Sequence, residues 1–268
     1  MAIFKFGLQS PVNPNTSDYT MKRLLQALTF IFPVFCLFSC STVNKVDDYA
    51  AYRGLSSRQI LIQAEQHLAA RDYEKAIDDF SAMDAIFPFG VDAQQAQLDV
   101  IYAYYMDDQP DMALASAERY LRLNPRGRDV DYALYMKGLI QFNEKLTWLQ
   151  KKFNTDTALF DTANKASAFG AFAELVQSYP SSPYSADAVA RMQYLRNVIA
   201  RHEILIANYY YSRHAYVAAI NRASAVIARY NGTSSIVPAL KMLVASYHHL
   251  GLTRLENKTR LILQATNV

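Results

Sequence analysis

The sequence predicts an all-α chain, an α-solenoid of about five helix pairs with an insertion in the third. Three observations carry that prediction. Beyond position 39 the chain is rich in alanine, leucine and tyrosine and poor in glycine and proline, a composition that favours helix over strand. Its prolines stand at Pro88, Pro110, Pro125, Pro180, Pro183 and Pro238, between apolar-periodic segments, where they punctuate helices. The third observation is a residue frame that recurs along the chain.

The frame is clearest from Asp72 to Pro88. Ala76 is followed by Phe80, Met83 and Pro88. A shift of 37 finds Ala113, Leu114, Tyr120 and Pro125, and a shift of 92 finds Ala168, Phe169, Phe172, Leu175, Tyr179 and Pro180. A shift of 143 finds Tyr216, Ala219, Ile220, Val226 and Tyr230, with Asn231 where the proline stood. Upstream, Ala64 and Ala207 fall in register, as do His67, Tyr104 and Tyr210. Two antiparallel helices pack closely when small residues meet at their crossing, which Ala64/Ala76 and Ala207/Ala219 supply. The aromatics fill the space toward the next pair, and proline stops the second helix. The pattern resembles the tetratricopeptide repeat.

Each element follows in order. Repeats one and two are nearly contiguous. The third opens with a helix over Val130 to Lys145, is interrupted at 146–162 by an insertion holding the only tryptophan, Trp148, and closes with a helix from about Ala163 to Tyr179. No breaker appears from Tyr184 to Ser212, so the fourth opens with an unusually long helix. The fifth, Ala239 to Gln264, keeps Tyr247 and Gly251 but carries Glu256 at the alanine position, and reads as a capping pair.

The N-terminal segment is of another kind. Met21 opens a short block with Lys22 and Arg23, a mostly apolar run follows from Leu24 to Phe38, and it closes on Leu37-Phe38-Ser39-Cys40. That is the build of a secretory signal, 21–39, and a cysteine after Leu-x-Ser resembles a bacterial lipobox. The expectation is an S-diacylglycerol and an N-acyl chain on Cys40, with 40–54 as a flexible tether. Residues 1–20 lack apolar periodicity and read as an upstream extension, with translation starting at Met21.

From Cys40 onward, 24 bases stand against 23 acids, a net charge of +1, which is no footprint for nucleic acid. Cys36 falls in the signal and Cys40 is the acylation site, so no internal disulfide is expected. No catalytic constellation, metal-ligand spacing or cofactor motif is legible, and the chain reads as a scaffold rather than an enzyme. The five histidines make no His-x-x-x-His. His202 and His214 read as solvated, as do the paired carboxylates Asp78/Asp79 and Asp107/Asp108. A helical solenoid offers instead a groove for a peptide or a partner's helix, with Tyr102, Tyr104, Tyr105, Arg119 and Arg122 as candidates.

Several segments together resemble the BamD (ComL) family of outer-membrane β-barrel assembly lipoproteins. They include Phe87-Pro88-Phe89-Gly90, Gln97 to Tyr105, Arg119-Tyr120-Leu121-Arg122-Leu123-Asn124-Pro125, Asp131 to Leu139, Tyr179 to Tyr184, Tyr209 to Arg213 and Val217 to Arg222. The resemblance covers about residues 55 to 265. It implies a lipid-anchored protein on the periplasmic side of the outer membrane that partners the barrel-forming assembly subunit and accessory assembly lipoproteins. It also implies reception of unfolded outer-membrane proteins through a C-terminal signal ending in an aromatic. By position, Asn221 and Arg222 match the partner-docking element, with Arg222 facing an acidic residue of the barrel-forming subunit. Arg119 and Arg122 match the family's pair near the substrate-facing N-terminal half, and Phe87, Tyr102 and Tyr105 join them as candidates for the substrate-peptide groove. Residues 55–145 are then the substrate-side repeats, and 163–268 the docking repeats. The segment 143–164 departs most from the family. A periplasmic repeat adaptor for peptidoglycan or other envelope machinery is the alternative reading.

Overall fold

The computed structural model describes residues 49–142, 158 and 162–266. Cys40, the signal segment, most of the tether and nearly all of the insertion, Trp148 included, lie outside the described residues. After a short 3-10 turn at Ala50–Tyr52 come ten α-helices among the described residues: α1 Ser57–Ala69, α2 Tyr73–Ile86, α3 Val91–Met106, α4 Pro110–Leu123, α5 Val130–Phe142, α6 Ala163–Ser178, α7 Ser185–Ser212, α8 Tyr216–Arg229, α9 Ile236–His249 and α10 Thr253–Thr266. Each packs on the next in sequence, forming five consecutive pairs. The first helices also touch directly, α1 with α3, α3 with α5 and α7 with α9, so they form one layer and the second helices another. The chain is an all-α, tetratricopeptide-like solenoid.

The repeat frame reappears as hydrogen bonding. Within a pair the turn is closed by Asp72 N–H to His67 O, Gln109 N–H to Tyr104 O, Ala215 N–H to Tyr210 O and Leu252 N–H to Tyr247 O, at 2.9–3.0 Å. The residue ahead of each donor is left-handed: Arg71, Asp108, His214 and Gly251, with φ of 61 to 67°. One turn geometry therefore recurs in four repeats although glycine fills it only once. At the far end of the second helices, Phe87, Asn124, Tyr179 and Tyr230 donate to Met83, Tyr120, Leu175 and Val226, again in the same frame.

The small residues lie where the spacing puts them. Ala64, Ala76, Ala113, Ala168, Ala207 and Ala219 are fully buried. In the third pair the small residue is Gly138 on α5: a Cβ there would stand 2.4 Å from Phe172 of α6. That close approach lets the Phe172 ring, itself fully buried, fill the centre of the largest core cluster. Ser56 caps α1 by accepting from Gln59 N–H, and the Gln59 side chain accepts from Ser56 N–H in return. Pro110 sits in the first turn of α4, where its missing N–H costs nothing. As expected, the helix after Tyr184 is long, 28 residues.

Two expectations of solvation are overturned. Asp79 is 2% exposed. Tyr52 donates to it at 2.7 Å, Gln63 at 2.9 Å, and His67 Nδ1 lies 2.7 Å away. Buried, it satisfies its lone pairs within the first repeat, as a desolvated carboxylate must. Its neighbour Asp78 is exposed. His202 is half-buried, with Nδ1 2.6 Å from the carbonyl of Ala158. His214 is exposed.

Candidate partner-binding surfaces

Arg222 lies on α8, whose Ala219, Ala223 and Val226 face the core. Three residues past Ala219, its side chain falls on the flank, 43% exposed, beside the exposed Asn221. It is not solitary. Nη1 donates to both carboxylate oxygens of Glu203 on α7, at 3.1 and 3.4 Å. That hydrogen bond, with the Glu203 charge, raises the guanidinium pKa further, and Tyr210 adds to it. A guanidinium has five N–H donors in a rigid fork. The Glu203 contact engages Nη1 and orients the group on the flank.

The five groove candidates fall into separate settings. Arg119, on α4, donates from Nη1 and Nη2 to Asp84 on α2 at 2.7 and 2.9 Å. It is a bidentate clamp between the second helices of repeats one and two. Arg122, one turn further, is exposed. Phe87 is half-buried against the core of the first repeat, and Tyr105 against the core of repeats two and three. Tyr102, on the first-helix layer, is 37% exposed. Tyr102 and Arg119 thus stand on helices of different layers.

Beside Tyr102 the first-helix layer carries a feature the spacing did not disclose. Asp99, one turn before Tyr102, accepts from Gln95 Nε2 at 3.0 and 3.1 Å. Burial pushes its pKa up to about 6, and the charges of Glu65 and Asp129 add to the rise. Burial likewise raises the Tyr132 phenol, with Asp99 as the next cause. Tyr132 packs on Tyr184 with ring centroids 5.6 Å apart, and Tyr135 stacks on the same ring at 4.8 Å. Tyr135 donates to Asp187 at 2.7 Å. This tyrosine ladder locks α5 to the start of α7. Glu203 and Asp84 are distant in sequence from the arginines they hold, and the charges that act on Asp99 come from Glu65 and Asp129 on other segments, which is why the sequence pattern missed them.

Comparison with known proteins places the chain. The family described as outer membrane lipoprotein, YfiO, matches residues 54–262. The chain is similar to the outer membrane protein assembly factor BamD of Neisseria meningitidis serogroup A, 38% identical over 245 residues and 91% of each chain. It is also similar to BamD of Vibrio cholerae, 34% identical over 89% of this chain and 97% of the relative. BamD of Haemophilus influenzae is 32% identical over 91% of each.

Proposed function

The chain belongs to the YfiO family of outer membrane lipoproteins, and on that premise we propose that it is an outer-membrane protein assembly factor that docks the barrel-forming subunit through Arg222. The observation that carries the docking site is geometric. Arg222 is held on the flank of α8 by Glu203, half-exposed, with a planar fork suited to a carboxylate on a partner. Asn221 beside it is a second polar contact. The first-helix layer around Tyr102 receives the C-terminal segment of an unfolded barrel protein; Arg122, exposed on α4, belongs to the second-helix layer and is a separate candidate cation. Arg119 clamps α4 to α2 within that second-helix layer rather than meeting the segment directly. No helix among the described residues is long and apolar enough to cross a membrane. Attachment is through acyl chains on Cys40, where each buried methylene contributes about 0.8 kcal/mol.

Affinity purification from detergent-solubilised outer membrane tests the assembly role. The barrel-forming subunit and accessory lipoproteins should co-elute; their absence, with wall-synthesis enzymes recovered instead, overturns it. Intact-mass measurement tests the anchor: the chain should begin at Cys40 and carry the acyl mass, and an unmodified residue 40 contradicts it.

A further inference from the structure

The near-zero net charge conceals a partition along the chain. Residues 57–142 hold fourteen acids and eight bases, whereas residues 185–266 hold three acids and ten bases. The first half of the array is therefore at −6 and the second at +7. At the basic end, between α9 and α10, lies a cavity of about 350 Å3. Val244, Ala245 and Leu263 give it an apolar floor, and Lys241, His248 and Arg260 stand around it.

Among the described residues Glu256 is the only acid lining the cavity, and its charge is already answered. Arg260 Nη2 donates to it at 2.5 Å, and His248 Nδ1 lies 3.2 Å from its other oxygen. Together they hold its carboxyl below the usual range, the Arg260 hydrogen bond most of all. Lys241 is exposed and meets no acidic side chain among the described residues. One wall is rigid: His249 Nε2 lies 2.9 Å from the Tyr211 hydroxyl, and Tyr216 stacks on the His249 ring at 4.6 Å and 6°. A preformed apolar hollow with an uncompensated cation at its edge is the complement of an apolar side chain next to a carboxylate.

We propose that this cavity docks an acidic segment of a partner protein, with an aspartate or glutamate against Lys241 and an adjacent apolar side chain on the floor of Val244, Ala245 and Leu263. The basic field of α7–α10 draws such a segment in, and the hollow fixes its register. A flat lipid headgroup layer would use the surface cations but would leave the recessed apolar floor empty. The site shares no residue with the Arg222–Glu203 pair and stands or falls apart from it.

The test uses the full chain in detergent and two fluorescein-labelled decapeptides, one alternating glutamate with leucine and its glutamine twin. Fluorescence anisotropy should show saturable binding of the acidic peptide, with the twin weaker by at least about tenfold, since the charge is what the site recognises. Lys241→Glu should weaken the acidic peptide by at least about tenfold. Ala245→Phe, which fills the hollow without changing charge, should weaken it as well, while Lys75→Gln, on the exposed face of α2, should leave it unchanged. Melting curves establish that each variant is folded. Equal affinity for the two peptides overturns the proposal, as does undiminished binding by folded Lys241→Glu and Ala245→Phe. Recruitment of the unacylated Cys40→Ala chain to vesicles of equal phosphatidylglycerol and phosphatidylcholine, without peptide binding, would assign the basic end to lipid and overturn it too.

Discussion

Burial sets the behaviour of single residues here, and Asp99 shows how. An unfolded aspartate titrates near 3.9, whereas Asp99 is pushed up to about 6 in the fold. Between those values the folded chain keeps a proton that the unfolded chain has lost, so stability falls as pH rises through that window and stays lower above it. Asp99→Asn retains the acceptor for Gln95 and removes the charge. It should raise stability by up to about 2 kcal/mol at pH 7.5 and leave it nearly unchanged at pH 4. Thermal midpoints at the two pH values check this, and an equal effect at both would contradict it. Gly138 illustrates the opposite case, a residue defined by what it lacks. Gly138→Ala would drive a methyl group into the Phe172 ring, and overpacking of this kind costs about 1–3 kcal/mol. Urea denaturation should report that loss. Neither effect was legible in the sequence, because the neighbours that cause it belong to other helices. Asp79 is the clearest instance: beside the exposed Asp78 it looks like surface, yet it anchors Tyr52, Gln63 and His67.

Helices and turns were read more successfully. Spacing of alanine, aromatic and proline located the pairs and the long α7, because helix packing demands small residues at crossings whatever surrounds them. The turn geometry was less visible. Arg71, Asp108 and His214 occupy a left-handed position that glycine takes at Gly251, so composition masks a shared conformation. A left-handed non-glycine residue costs about 1–2 kcal/mol, and glycine recovers part of that against its own chain entropy. Arg71→Gly should therefore stabilise the protein by about 0.5–1 kcal/mol, readable as a raised thermal midpoint. At the crossings, Ala76→Leu and Ala219→Leu should each cost about 1–3 kcal/mol. Lys75→Ala, which loses only an exposed pair with Asp72, should leave the thermal midpoint close to that of the wild type. A reversed ranking would show that the helix register is misassigned.

At the scale of the whole molecule, stacking repeats gives a scaffold whose ends differ in charge while its core chemistry stays the same. The family and the solenoid were legible from end to end, since repeats restate one pattern and each copy supports the others. The proposed docking surface was legible only in part. Arg222 was identified by position, but Glu203, which orients it, lies on another helix. That pair also shapes the most direct test of the central claim. Arg222→Glu alone would set two carboxylates together, so it is paired with Glu203→Arg, which restores the internal bridge with its polarity reversed. Co-purification with the barrel-forming subunit is then compared among wild type, the folded double variant and Glu203→Gln. Loss of a buried interfacial charge contact costs about 2–5 kcal/mol. The double variant should therefore melt like the wild type yet lose the subunit, and Glu203→Gln should retain it. Wild-type recovery of the subunit by the folded double variant would show that Arg222 is only a surface charge and that docking lies elsewhere.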